Sequence, residues 1–145
     1  MKRCLILCLA ILMPLMTTGQ KPPLDHSVYD GWKSISNEAI SEDGKWITYE
    51  INPQQGDGWL FFVNSLTLDK DSVFCGFGAR FAPDSRYIVY QVKPQFAVTR
   101  QAKKKKLKED QMPKNKLYIK LPESGKTAEI SRFRSFDIPR KGSYW

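Results

Sequence analysis

His26 sits between Asp25 and Ser27. These are the side chains of nucleophilic acyl transfer: a hydroxyl that attacks, an imidazole that takes its proton, and a carboxylate that orients the imidazole. Adjacency in sequence does not make a triad, because the roles need a geometry rather than an order. The ordinary reading of His26 is a surface or strand-edge histidine, and it is the sole histidine of the 145 residues. The chain contains no Gly-x-Ser-x-Gly turn to lift a serine nucleophile, no phosphate-binding glycine loop, and no Cys/His set with metal-ligand spacing. Glu38, Glu42 and Asp43 fall in or beside a turn signature, where structural roles come first. The sequence thus names no catalytic, cofactor-binding or metal-binding residue, and no cofactor is expected.

The elements that would position such chemistry are easier to read. Ser41-Glu42-Asp43-Gly44-Lys45-Trp46-Ile47-Thr48-Tyr49-Glu50-Ile51 recurs, 41 residues on, as Ala82-Pro83-Asp84-Ser85-Arg86-Tyr87-Ile88-Val89-Tyr90-Gln91-Val92. That spacing is the period of a propeller blade. Asp43-Gly44 and Asp84-Ser85 are turn pairs, and each leads through a cation into a strand of aromatic and β-branched residues. Alternation puts Ile47, Tyr49 and Ile51 on one face of the first strand, and Ile88, Tyr90 and Val92 on the matching face of the second. This apolar face is expected to pack between blades. The opposite face, with Trp46, Thr48 and Glu50 in the first copy, is mixed.

Further strands are expected at Leu60–Asn64, after the hairpin signal Asp57-Gly58, and at Leu117–Leu121. Polar turns at 68–71 and 123–126 lead to short strands at Ser72–Phe74 and Thr127–Ile130. Phe136–Pro139 then corresponds to Arg80–Asp84, and Trp145 stands about where Trp46 and Tyr87 open their strands. The expected fold is all-β: a partial β-propeller of about two blades of antiparallel strands. A closed propeller needs at least about four blades, so the chain is expected to be part of something longer.

The formal charge of +8 is local. The segment 93–116 holds nine basic and two acidic residues. Setting these aside, with Lys2 and Arg3, leaves 12 basic and 13 acidic of the original 23 and 15. The segment is an insertion, because Ile51 reaches Leu60 within nine residues whereas Val92 reaches Leu117 only after twenty-five. Its centre has no Gly or Pro and favours helix, with Gln95 or Thr99 as cap and Pro113 as terminator. It reads as a solvated helical arm, or as a polybasic surface for acidic polymers or lipid head groups. Nucleic acid is not an expected partner: no zinc pattern, helix-turn-helix or interleaved aromatic stacking platform accompanies the lysines.

Residues 1–19 read as a cleaved signal peptide, with Lys2-Arg3, the apolar run Cys4–Met16, and small residues at Thr17 and Gly19. The run is shorter than the roughly 18 residues of a spanning helix and contains Pro14. Cys4 and Cys8 lie too early for a lipoprotein cleavage site. The expected location is exported, periplasmic or extracellular, with membrane contact only through the leader. Cys75 is then the one cysteine of residues 20–145, so no internal disulfide is expected and the thiol reads as buried.

The run Pro23-Leu24-Asp25-His26-Ser27-Val28-Tyr29-Asp30-Gly31-Trp32, continuing into Ile35-Ser36-Asn37-Glu38-Ala39-Ile40-Ser41, is specific in wording, as is Tyr90-Gln91-Val92-Lys93-Pro94. It resembles the start of secreted bacterial serine peptidases of the prolyl oligopeptidase family, in the dipeptidyl-peptidase-like branch. The resemblance covers nearly all of the chain after the leader. It implies an N-terminal β-propeller that gates access and helps bind peptide, and a C-terminal α/β-hydrolase domain that carries the triad. No position here matches the triad motif or the branch's substrate-anchoring glutamates, so no catalytic residue carries over. On this reading residues 20–145 are the N-terminal fragment of the propeller. The parent hydrolyses peptides, its partner is peptide substrate with a possible homo-oligomer, and the fragment alone is inactive. The competing reading is a non-catalytic envelope propeller acting as a binding or scaffold module, with the polybasic arm on acidic glycans or lipids. A complete small β-protein is a third reading, opposed by the bare strand-opening Trp145.

Overall fold

The computed structural model describes Tyr29 and residues 32–139; the leader, His26 and Trp145 lie outside the described residues. Two four-stranded antiparallel sheets follow one another along the chain, each a simple meander. The first contains β1 (Lys33–Ile40), β2 (Trp46–Pro53), β3 (Trp59–Asn64) and β4 (Lys70–Phe74), in that spatial order. The second contains β5 (Gly76–Phe81), β6 (Ile88–Val92), β7 (Lys116–Lys120) and β8 (Thr127–Ile130). The expected all-β architecture of two blades is the observed one. Strand β1 is an addition to the sequence reading: its alternation is masked by Ser34, Ser36, Asn37 and Glu38.

The 41-residue repeat extends to backbone detail. In the β1–β2 turn, Ser41 N donates to Trp46 O at 2.9 Å and Gly44 N to Ser41 O at 2.9 Å. In the β5–β6 turn, Ala82 N donates to Tyr87 O at 2.9 Å and Ser85 N to Ala82 O at 2.9 Å. Gly44 and Ser85 both take positive φ, 71° and 57°. Asp43 Oδ1 accepts Lys45 N at 3.1 Å, and Asp84 Oδ1 accepts Arg86 N at 3.1 Å. These aspartates close the turn by bonding the backbone two residues on, which is why the turn pair recurs. The inner strands carry matching bulges, between Ser36 and Ala39 and between Phe77 and Arg80. The left-handed residues within them are Asn37 and Gly78, with φ of 52° and 62°.

The core lies between the sheets. Leu60 and Phe62 of β3 meet Ile88 and Tyr90 of β6, with Val73, Ala79, Phe81, Val92 and Tyr118 around them. A single residue, Cys75 (φ 59°), links β4 to β5. Gly76 follows it because a Cβ there would meet Leu60 Cβ at 2.8 Å. One expectation is corrected. In the second sheet the Ile88/Tyr90/Val92 face does pack between blades, but the first sheet meets it with its mixed face. Thr48 and Glu50 are buried there beside Phe62 and Leu60, their cross-strand partners. The all-apolar Ile47/Tyr49/Ile51 face of the first sheet is half-exposed. The reason is that equivalent faces of successive repeats point the same way around an axis, so the apolar face of one sheet meets the opposite, mixed face of its neighbour.

Helix α1 (Phe96–Lys104) occupies the expected insertion. Gln95 is the N-cap residue, as expected, but its side chain makes no cap bond, and Thr99 lies inside the helix. Asp57 of the β2–β3 turn accepts Phe96 N on both carboxylate oxygens, at 2.9 and 3.1 Å. A carboxylate at this end satisfies an orphan amide and opposes the helix dipole. Pro113 does not end the helix. Lys106, at φ 53°, turns the chain, and Leu107 N bonds back to Ala102 O at 3.2 Å, a left-handed C-terminal closure. A 3-10 turn, Glu109–Gln111, separates this closure from Pro113.

Candidate functional site

Three surfaces could carry function, and the fold builds each from separate stretches of sequence. The first is the inner rim. The C-terminal ends of β1 and β5 lie side by side with the 137–139 segment around a cavity of about 510 Å³. Ile40, Phe81 and Ile138 give it apolar walls, and Glu42 and Asp137 supply carboxylates. Phe136–Pro139, matched in sequence to Arg80–Asp84, forms no strand but reaches the same rim as its counterparts.

The second is the seam between blades. Lys120 Nζ pairs with Asp71 across it and lies 4.7 Å from the Phe62 ring centre. The Phe62 ring stands edge-on to Tyr90 at 5.2 Å, and Tyr90 stacks on Tyr118 at 5.4 Å. Burial pushes the Tyr90 hydroxyl up to about 12, with Tyr118 and Asp71 adding to it. The Lys120 hydrogen bond holds the Asp71 carboxyl below its ordinary 3.8. Tyr118 donates to Glu129 at 2.6 Å, which raises the Tyr118 hydroxyl's pKa. Lys116 pairs with the same carboxylate at 2.8 Å and, with Tyr118, lowers it.

Nearer the axis, Glu50 is a buried carboxylate with three donors. Asn37 Nδ2 at 3.0 Å and Gly78 N at 2.8 Å reach Oε1, and Asn52 Nδ2 at 3.0 Å reaches Oε2. One donor comes from each bulge, so Glu50 ties the two inner strands together at their irregular residues. A buried charge is tolerated when its lone pairs are filled in this way. The sequence held a clue, a carboxylate within an otherwise apolar strand, but the donors become neighbours only through the bulges.

The third surface is basic. Lys103 to Lys106 and Lys108 are exposed around the end of α1, where cations suit the helix dipole. Only Ala102 of the helix is buried. Among the described residues no group of three or more His, Cys, Asp or Glu could hold a metal, and no helix is long and apolar enough to cross a membrane. Cys75 is buried and free. Burial and the neighbouring Asp57 push its thiol up to about 11, far from the thiolate a nucleophile needs.

Consecutive four-stranded meanders, inner strands grouped at a rim and an aromatic seam between sheets define a partial β-propeller. No protein-family model matches the chain, and no curated protein matches it. Among solved structures, the acylaminoacyl peptidase of Pyrococcus horikoshii is similar in fold, with a TM-score of 0.56 at 9% identity. The match covers 81% of this chain and 17% of the peptidase, so the chain spans a small part of the length of that protein. The relationship is distant, and it is one of fold.

Proposed function

We propose that this chain is the N-terminal part of the β-propeller of an exported serine peptidase related to the prolyl oligopeptidase family. One observation carries the reading: both blades together superpose on an acylaminoacyl peptidase over 81% of this chain. The Asp25–Trp32 wording supports it independently. In this role the chain supplies wall rather than chemistry. The seam and the Glu50 network hold the two inner strands in fixed relation, and the rim they form faces the peptide. Its apolar walls and carboxylates suit side chains and amides of an extended substrate. Gating and positioning of peptide would fall to this rim, and bond cleavage to a hydrolase domain carried by the parent. The leader motif of residues 1–19 supports the exported part of this reading.

The reading is tested at the genomic locus. The frame beyond the Trp145 codon is expected to run through further Asp-Gly-aromatic repeats to a Gly-x-Ser-x-Gly elbow. A frame that continues through blades alone, or stops at once, overturns it. The purified 145-residue chain should not turn over proline-containing peptide anilides, and hydrolysis above background would contradict the assigned division of labour.

A further inference from the structure

The lysine-rich helix draws the eye, but the fold gathers cations in a different place. A groove of about 650 Å³ opens between the loop after the 3-10 turn and the segment after β8. Lys114 and Asn115 line it from one side, and Arg132, Phe133 and Arg134 from the other, with Asp110 the one carboxylate. Some seventeen residues of sequence separate the two sides, and the β7–β8 hairpin brings them together. None of Lys114, Arg132 and Arg134 makes an ion pair with another described residue. Three cations therefore face one groove against a single carboxylate. Such a cleft concentrates positive potential and attracts anions.

The groove is also anchored. Phe133 packs edge-on to Phe136 at 6.3 Å, and the Arg80 guanidinium of β5 lies 5.9 Å from the Phe136 ring. These contacts hold the 131–136 segment to the second sheet and flank the half-buried Phe133 with two exposed arginines. An apolar ring, planar guanidinium forks and an amide are the groups that grip a charged sugar. The ring takes the apolar face of the pyranose, the arginines take carboxylate or sulfate oxygens in bidentate fashion, and the amide takes hydroxyls. The helix lysines offer point charges on flexible stems and no such platform.

We propose that this groove binds a segment of acidic polysaccharide, with Arg132, Arg134 and Lys114 on its anionic groups and Phe133 beneath a sugar ring. The site is independent of the peptidase reading. The probes are heparin and polygalacturonate, as sulfated and carboxylated polymers, with phosphatidylcholine vesicles doped with phosphatidylglycerol as the lipid arm. The full 145-residue chain should bind both polymers and lose affinity as salt rises. Arg132→Gln/Arg134→Gln removes two charges and should weaken polymer binding by about tenfold or more, about 1.4 kcal/mol. Lys103→Gln/Lys104→Gln/Lys105→Gln/Lys106→Gln removes four and should weaken it by less than about threefold. All six positions are exposed, so these variants keep the fold. The opposite order, with the helix variant losing more, overturns the proposal in favour of a non-specific basic arm. Absence of polymer binding overturns it too, as does a preference for the vesicles.

Discussion

Phe61 and Phe62 are neighbours on β3 with the same side chain and opposite fates. Phe62 is fully buried in the seam between blades, beneath Lys120 and against Tyr90. Phe61 stacks on Tyr49 at 5.2 Å on the open face of the first sheet, with Lys70 Nζ 4.8 Å above its ring. The second sheet repeats this stack as Tyr90 on Tyr118 at 5.4 Å, but there the first sheet covers it. The forward faces of the two blades are therefore one design in two states, open and closed. What closes the second is known in detail: an apolar ring at Phe62, a carboxylate at Asp71, and a buried Glu50 on β2 that is bonded to both inner strands. The difference shows that equivalent residues of the two blades build the same aromatic stack whether or not a neighbouring sheet covers it.

The sharpest way to break this comparison is to truncate both rings. Phe62→Ala should cost about 3–5 kcal/mol, the range for a buried aromatic in a close-packed core. Phe61→Ala should cost about 1 kcal/mol, mostly its stacking on Tyr49. Urea unfolding of the two variants reads the difference directly through the midpoint. Equal losses would mean that the open face is covered in solution by a second copy, and sedimentation of the wild-type chain would then reveal the association.

A smaller effect comes from protons at the closed seam. The Tyr90 hydroxyl titrates near 12 in the folded chain and near 10 when unfolded. A raised folded value stabilises fully below pH 10 and is lost as pH climbs through about 12. Asp71 works with the opposite sign. Its lowered value stabilises above its unfolded 3.8, and that stabilisation fades as pH falls through the lower folded value. The alkaline loss due to Tyr90 should be about 1–2 kcal/mol, and Tyr90→Phe should remove it. Asp71 lies at the solvent edge, so Asp71→Asn should change the acid limb by less than about 1 kcal/mol. Stability measured against pH for the two variants separates them. Cys75, pushed up to about 11, contributes to the same alkaline limb, so the Tyr90→Phe effect is read as a difference from wild type. An alkaline limb that Tyr90→Phe leaves unchanged would remove Tyr90 from the seam's energetics.

Much of this fold was legible in the residues because the repeat is a backbone device. Asp43-Gly44 and Asp84-Ser85 each close a turn by local bonds, so spacing and chemistry sufficed to place them. The strands around Leu60, Val73, Leu117 and Ala128 followed from alternation and turn residues in the same way. Strand β1 was hidden because its side chains are mostly exposed and polar, leaving no period to read. Gln95 was legible as the cap position, but the carboxylate that bonds the first helical amide was hidden because Asp57 lies 39 residues from Phe96. The face that closes the seam was misjudged because Thr48 and Glu50 look like solvent residues. Burial of Glu50 depends on Asn37 and Gly78, which reach it only through bulges that no local pattern announces. The basic groove was missed for the same reason: Arg132 and Arg134 join Lys114 only after β7 and β8 pair.

Thr48 offers the cleanest test. It is fully buried, and its Oγ1 has no hydrogen-bond partner. Its equivalent in the second blade, 41 residues on, is the buried Val89. A buried hydroxyl without a partner costs about 1–3 kcal/mol relative to an apolar group of the same shape. Thr48→Val should therefore raise stability by about 1 kcal/mol, seen as a higher urea midpoint at unchanged slope. The change makes the first blade's rear face more like the second's, so the gain measures how far the mixed character of that face is a cost. A loss instead would show that the hydroxyl belongs to the polar network around Glu50. The seam would then be specified by polar groups as well as by the Phe62 and Tyr90 rings, and an apolar counterpart would not substitute for it.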